Sequence, residues 1–109
     1  MLPNAANAII DPGKLRDYLL APDHPVGRFK SVVFTALGYS ADNWDVLAAD
    51  LLVVAGKEPA RAGQASAYGR KFEVSGKLTG PNGRSAAFTT VWILKPGETA
   101  PRFVTAFPG

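Results

Sequence analysis

The single histidine of the chain, His24, lies in the segment APDHPVGRFK, in which Arg28 and Lys30 follow it closely. Imidazole exchanges protons near neutral pH, and guanidinium and ammonium groups bind phosphate, so this combination suits chemistry on a phosphate ester. Pro25 favours the first turn of a helix, which makes His24 or Asp23 the expected N-cap. A helix beginning here places His24 and Arg28 on one side, whereas Lys30 points about 160° away from Arg28.

The competing interpretation of this segment is structural. In it, His24 only caps a helix, and Arg28 forms an ion pair with Asp23 or Asp11. Both interpretations remain open from the sequence alone.

A second group of polar candidates lies in predicted strands near the C-terminus. Thr90 and Trp92 share one face of a strand over 86–94, and Thr105 lies in a last strand over 102–107. A threonine among apolar residues is either a β-former or a hydroxyl directed at a ligand. Trp92 is either a core residue or a platform on which a base stacks.

Hydrophobic periodicity predicts helices in the first half of the chain and strands in the second. Helical segments are predicted over 12–21, 26–37 and 40–56. Asp11 and Ser40 are the expected N-caps, and Gly38 is the expected C-cap. After residue 58 the period becomes two, which predicts a half-buried strand over 72–78. A longer strand over 86–94 is apolar on both faces, as expected for a central position, and a last strand is predicted over 102–107, with a weaker edge strand over 60–67.

Strict alternation along the last strand places Phe103 and Thr105 on the face opposite Val104 and Ala106. The predicted architecture is a single α+β domain over residues 1–109. Two or three N-terminal helices (about 11–56) pack on one face of a C-terminal antiparallel sheet of about four strands (about 60–107).

Composition narrows the function classes. The chain has 109 residues, net charge +3 and no cysteine, which excludes disulfides, a thiolate zinc site and a cysteine nucleophile. With one histidine, we expect no metal site and no cofactor. No apolar run approaches a membrane span and no signal peptide is visible, so a cytoplasmic location and no membrane partner are expected.

Charge is distributed unevenly along the chain. Residues 1–58 hold five Lys and Arg against seven Asp and Glu, whereas residues 59–109 hold seven against two. A basic sheet either binds an anionic partner such as RNA or is simply a solvated face.

Four segments, LPNAANAIIDPGKLRDYLLAPDHPVGRFK, LGYSADNW, YGRKFEVSGKLTGPNGR and VWILKPGETAPRFVTAFP, resemble a family of short bacterial proteins known as a domain of unknown function. The resemblance covers essentially the whole chain. Members are sometimes encoded beside another small protein, which implies a toxin–antitoxin-type gene pair and a small cognate antitoxin or neighbouring-gene protein as partner.

More distantly, the chain resembles metal-independent ribonuclease toxins of the barnase, EndoU, colicin D and RelE type, in which N-terminal helices pack on a four-stranded antiparallel sheet. The segments HPVGRFK and VTAFP stand in places comparable to the functional segments of those toxins. The resemblance implies functional roles for His24, Arg28, Lys30 and Thr105, of which His24, Arg28 and Thr105 are assigned as catalytic residues. Substrate binding is then assigned to Lys30, Tyr68, Thr90, Trp92 and Arg102. The tyrosine of a TAYP-like ending is replaced here by Phe107, and Phe29 stands where relatives often have a second histidine.

Two functions follow as hypotheses. The first is a metal-independent ribonuclease toxin in which His24 is the acid or base, Arg28 and Arg102 hold the phosphate, and a carboxylate, Tyr68 or Lys30 transfers the second proton. The second is a non-catalytic module that binds a partner protein or RNA through its basic sheet. The predicted edge strand at 60–67 also makes a homodimer an expectation to test.

Overall fold

Helices precede strands along the chain, as the periodicity predicts, and the α+β class is confirmed. A computed structural model describes all 109 residues. The main elements are α1 (Pro12–Lys14, continued by a π-helical turn at Leu15–Leu19), α2 (Gly27–Thr35), α3 (Trp44–Lys57), β1 (Ala60–Ser66), β2 (Gly69–Thr79), β3 (Ser85–Leu94) and β4 (Arg102–Pro108). Short 3-10 turns lie at Ala5–Asn7 and Ala41–Asn43.

The predicted helix ends are present. The Asp11 side chain accepts a hydrogen bond from the Gly13 N–H at 2.9 Å, which caps α1. Ser40 and Asn43 form a reciprocal capping box before α3. Gly38 ends the turn after α2 with φ 95°, a left-handed conformation that glycine adopts without strain.

The four strands form one antiparallel sheet in the order β1-β2-β3-β4. Alternate side chains of β2 and β3 are buried against the helices, and the Phe34 and Phe88 rings stack with centroids 4.8 Å apart. Each amphipathic element thereby buries one apolar face, so the helices cover one face of the sheet. The weak segment at 60–67 is indeed an edge strand, and every residue of β1 after Ala60 is exposed.

The last strand departs from strict alternation. Phe103 pairs with Trp92, whereas Thr105 pairs with Val91, so Val104 is an extra residue in a β-bulge. A bulge resets which residues share a face. The prediction that Phe103 and Ala106 lie on opposite faces is therefore wrong: both are buried, at 4% and 0% exposure.

Candidate functional site

Three polar side chains from separate elements meet beside the edge strand β4. The Lys30 ammonium on α2 donates a hydrogen bond to Thr105 Oγ1 at 2.8 Å, and the Tyr18 hydroxyl lies 3.4 Å from the same oxygen. Lys30 Nζ is also 5.4 Å from the centroid of the Tyr18 ring, within cation–π range. We call Tyr18, Lys30 and Thr105 the Tyr18 cluster; all three are half-buried.

The surroundings of Tyr18 favour its ionised form. Burial, the largest single effect, opposes ionisation of the phenol. Hydrogen bonds with Thr105 and Lys30 and the charges of Lys30 and Lys14 together outweigh it, and they lower the pKa of Tyr18 below its usual value. The cluster thus holds a phenol that releases its proton more readily than tyrosine in water.

Close backbone packing brings Tyr18 and Lys30 together. The π-helical turn, closed by the hydrogen bond from Leu20 N–H to the Leu15 carbonyl at 2.8 Å, carries Tyr18. A Cβ at Gly27 would lie only 1.9 Å from the Tyr18 carbonyl oxygen, so only glycine permits this contact. Lys30 follows Gly27 by about one turn of α2, which places its side chain next to the Tyr18 ring.

His24 caps α2, as one interpretation of the sequence predicts. Its Nδ1 accepts hydrogen bonds from the N–H groups of Val26 at 3.0 Å and Gly27 at 2.9 Å. The ring also packs edge-on against Tyr18, with centroids 5.2 Å apart. Because Nδ1 is occupied by the backbone, His24 can meet a substrate only through Nε2. The imidazole also borders an open depression of about 470 Å³.

Arg28 does not join the Tyr18 cluster. Its guanidinium lies 4.8 Å from the centroid of the Phe29 ring, and both side chains are exposed. The ion pair with Asp23 or Asp11 that the structural interpretation predicts is absent, since the ion pairs of the chain are Arg61–Glu73 and Arg102–Glu98. Arg28 is therefore free to move toward a bound anion.

The remaining sequence candidates are dispersed. Thr90 and Trp92 are fully buried, and Trp92 Nε1–H donates to Thr90 Oγ1 at 2.9 Å. Thr90 in turn donates to the Val74 carbonyl at 2.8 Å, so this pair is a satisfied polar element of the core with no surface to offer a substrate. Tyr68 is 81% exposed in the β1–β2 turn, at the sheet edge opposite β4.

Arg102, at the start of β4, is held by Glu98. Its Nε and one terminal nitrogen donate to the two carboxylate oxygens at 2.9 and 3.1 Å. This pairing raises the pKa of Arg102 and lowers the pKa of Glu98. Arg102 precedes Thr105 by three residues on the same strand, so it lies near the Tyr18 cluster but outside it.

Tyr18 is not among the site residues that the sequence predicts. Its spacing with Leu15 and Leu19 assigns it to the buried stripe of the first helix, and Leu15 and Leu19 are indeed fully buried. The available signal is chemical: in a stripe of leucines, a tyrosine brings a hydroxyl that needs a polar partner when half-buried.

No group of three or more His, Asp and Glu side chains is arranged to hold a metal ion. None of the helices combines the length and the apolar character needed to cross a bilayer.

Comparison with known proteins adds the family. A family model described as a domain of unknown function (DUF6883) matches residues 1–109. The chain belongs to this family. The backbone of the DUF6883 chain is similar to that of a chain in the solved structure of a contact-dependent growth inhibition toxin–immunity protein complex from Klebsiella pneumoniae 342. The TM-score is 0.72, the sequence identity is 20%, and 95% of each chain is covered.

At that identity, the likeness to the complex shows a shared fold. No curated protein is significantly similar to the chain in sequence.

Proposed function

We propose that this chain is a toxin that cleaves RNA without a metal ion, with the Tyr18 cluster and His24 at its active site. The observation that supports this most directly is the hydrogen-bonded arrangement of Lys30, Thr105 and Tyr18. It places an ammonium group near a phenol whose pKa is lowered. The shared fold with a chain of a toxin–immunity protein complex supports the toxin part of the proposal.

Metal-free cleavage of RNA needs a base, an acid and positive charge at the phosphate. In the proposed reaction, ionised Tyr18 takes the proton of the ribose 2′-hydroxyl, and the 2′ oxygen forms a bond to phosphorus. The bond from phosphorus to the 5′ oxygen breaks, and the Lys30 ammonium supplies the proton to that oxygen. The products are a 2′,3′-cyclic phosphate and a 5′-hydroxyl, and solvent restores the two protonation states.

The other sequence candidates take supporting roles in this scheme. Thr105 is a positioning residue, because its hydroxyl links Lys30 to Tyr18. His24 offers Nε2–H as a hydrogen-bond donor to a phosphoryl oxygen, since its Nδ1 is held by the backbone. Arg28, exposed and unpaired with any acid, adds charge to the phosphate.

Cleavage of total RNA in EDTA tests the proposal. We expect the purified chain to produce fragments that end in 2′,3′-cyclic phosphate. Loss of a proton-transfer group in Tyr18→Phe or Lys30→Met should lower the rate by about 10²–10⁴-fold. Lys77→Met is the matched lysine control, because Lys77 is exposed on β2 and has no hydrogen-bonded side-chain partner.

Two outcomes would contradict this scheme. If Tyr68→Phe rather than Tyr18→Phe loses activity, the proton-transfer group lies at the opposite sheet edge. If the chain does not cleave RNA and bacteria that express it grow normally, the toxin hypothesis is wrong. The non-catalytic binding module then remains as the second hypothesis.

The partner that we propose is an acidic inhibitor protein, such as the product of a neighbouring gene, that covers the active site. Val26, at the N-terminal end of α2, and Phe29 and Val32, within it, recur every three residues. They are 57%, 67% and 69% exposed, which is unusual for large apolar side chains on one side of a helix. Arg28 lies between them in sequence and is exposed, so a complementary surface would be apolar with a flanking carboxylate.

Titration of that neighbouring-gene protein into the chain tests the partner. Phe29→Ser should weaken binding at least tenfold without lowering thermal stability, because the Phe29 ring packs on no core residue. Equal binding by Phe29→Ser and the unmodified chain would place the interface elsewhere. A homodimer through the exposed edge strand β1 stays a prediction, which light scattering can test.

A further inference from the structure

A small depression lies at the start of β4, separate from the Tyr18 cluster. It encloses about 210 Å³, and its polar rim consists of Lys14, Lys95, Arg102 and Asp11. Four apolar residues complete the wall: Ile9, Ile93, Phe103 and Val104. Three cations from α1, the segment after β3 and β4 therefore face one concave surface.

Both acids near this depression are already engaged. Glu98 accepts two hydrogen bonds from Arg102, and Asp11 accepts a hydrogen bond from the Gly13 N–H as the cap of α1. Lys14 and Lys95 are exposed and form no ion pair. The depression thus keeps a net positive charge with two lysines available to a ligand.

The depression and the Tyr18 cluster lie along the same edge strand, β4. Arg102 precedes Thr105 by three residues, a separation of about 10 Å along an extended strand. Lys14 precedes Tyr18 by four residues, and its charge contributes to lowering the pKa of the Tyr18 phenol. An extended anionic chain bound at Thr105 would pass directly over Arg102 and Lys14.

We infer that this depression is a phosphate-binding subsite for RNA, which holds a backbone phosphate beside the one that is cleaved. The inference rests on the proposed function. A phosphate here would accept hydrogen bonds from Lys14 and Lys95 and lie beside the guanidinium that Glu98 holds in place. The subsite reads no base, so it contributes affinity and register rather than sequence preference.

The competing anion-binding surface is the outer face of the sheet. Lys71 and Lys77 of β2 are exposed there, whereas Arg61 of β1 is neutralised by Glu73. Lys71 borders the depression, because it pairs with Ile93 and Ile93 pairs with Arg102. Lys77 pairs with Ala87 and lies six residues farther along β2, away from the depression. A pair of variants distinguishes the two surfaces.

Binding of a fluorescent 2′-O-methyl RNA oligonucleotide, which cannot be cleaved because it lacks the nucleophile, tests the inference at several KCl concentrations. Each phosphate that a cation neutralises contributes about 0.7 to the slope of log affinity against log salt for a single strand. Lys14→Ala/Lys95→Ala should therefore reduce the slope by about 1.4 and Lys95→Ala alone by about 0.7. Between 50 and 200 mM KCl the double variant should lose about sevenfold less affinity than the unmodified chain.

Lys57→Ala/Lys77→Ala is the control pair, because both lysines are exposed and neither lines the depression, and its slope should match that of the unmodified chain. An unchanged slope in Lys14→Ala/Lys95→Ala, a reduced slope in the control pair, or no binding of the oligonucleotide would overturn the subsite. Because binding is measured without cleavage, these results differ from failure of the proposed function. If only the proposed function fails, the chain would not cleave RNA, but Lys14→Ala/Lys95→Ala would still reduce the slope of log affinity against log salt.

Discussion

Replacing Thr105 with valine tests the hydrogen bonds that meet at its hydroxyl. The substitution keeps the size of the side chain and suits a strand. It removes the acceptor of the Lys30 ammonium at 2.8 Å and the partner of the Tyr18 hydroxyl at 3.4 Å. Because all three side chains are half-buried, water can replace part of this bonding. We expect the free energy of unfolding to fall by about 1 kcal/mol and the Tm by about 4–8 °C.

The larger effect of Thr105→Val should be on the pH dependence of cleavage. The hydrogen bond with Thr105 is the strongest of the influences that lower the pKa of Tyr18, so its loss raises that pKa. Below its pKa, the fraction of ionised Tyr18 falls tenfold for each unit, and the rate should fall with it at pH 7. Raising the pH through the new pKa should restore the rate, because the base is again ionised.

Two assays carried out across neutral to alkaline pH measure this effect. One follows cleavage of a short fluorogenic RNA in EDTA, corrected for hydrolysis without protein, and the other follows the ultraviolet absorbance of tyrosinate. Thr105→Val should move the inflection of both curves upward, and Tyr18→Phe should remove the earliest tyrosinate transition. If Thr105→Val lowers the rate by one factor at every pH and leaves the absorbance titration unchanged, Tyr18 is not the base.

Three further substitutions separate structural from chemical roles. His24→Ala should lower the free energy of unfolding by about 1 kcal/mol, because it removes the cap of α2, whereas His24→Asn should retain stability and still lose cleavage. Calorimetry and the RNA assay measure these effects. Cleavage by His24→Asn would show that Nε2 has no part in the mechanism. Gly27→Ala should lower the free energy of unfolding by about 1–3 kcal/mol and displace Tyr18, because the added Cβ would clash with the Tyr18 carbonyl. Gly56→Ala is the control in the same denaturant titration, since a Cβ at that position has no neighbouring atom within 4 Å. Tyr39→Phe should lower the free energy of unfolding by about 1–2 kcal/mol, because the buried Tyr39 hydroxyl donates a hydrogen bond to the Asp50 carboxylate at 2.6 Å. An unchanged denaturation midpoint would show that water fully replaces this hydrogen bond.

Features governed by neighbouring residues could be predicted from the sequence. The caps at Asp11 and Ser40 and the turn at Gly38 depend on side chains within three residues of the helix end, and all three are present. Period-two burial holds along β2, whereas β3, a central strand, buries the consecutive residues Phe88, Thr89 and Thr90, as a run that is apolar on both faces predicts. These local signals were enough to determine the α+β architecture and the order of its elements.

The site itself depends on contacts that spacing does not encode. Thr105 meets Lys30 and Tyr18 across 75 and 87 residues of chain. The bulge at Val104 fixes how β4 pairs there, and a single extra residue in a strand leaves no mark on a hydrophobicity pattern. The helical projection does separate Lys30 from Arg28, but it cannot tell which of the two faces the sheet.

The three tyrosines show how environment, rather than residue type, selects a reactive group. Burial and the hydrogen bond to the Asp50 carboxylate raise the pKa of Tyr39, which keeps that hydroxyl protonated as a donor within the fold. Tyr68 is exposed and has no charged hydrogen-bond partner. Only Tyr18 combines partial burial with a nearby ammonium and a bridging hydroxyl, so its phenolate is the one that the protein stabilises. His24 is the only histidine of the chain, yet its Nδ1 accepts hydrogen bonds from the backbone at the start of α2. The proposed mechanism therefore assigns the role of base to Tyr18.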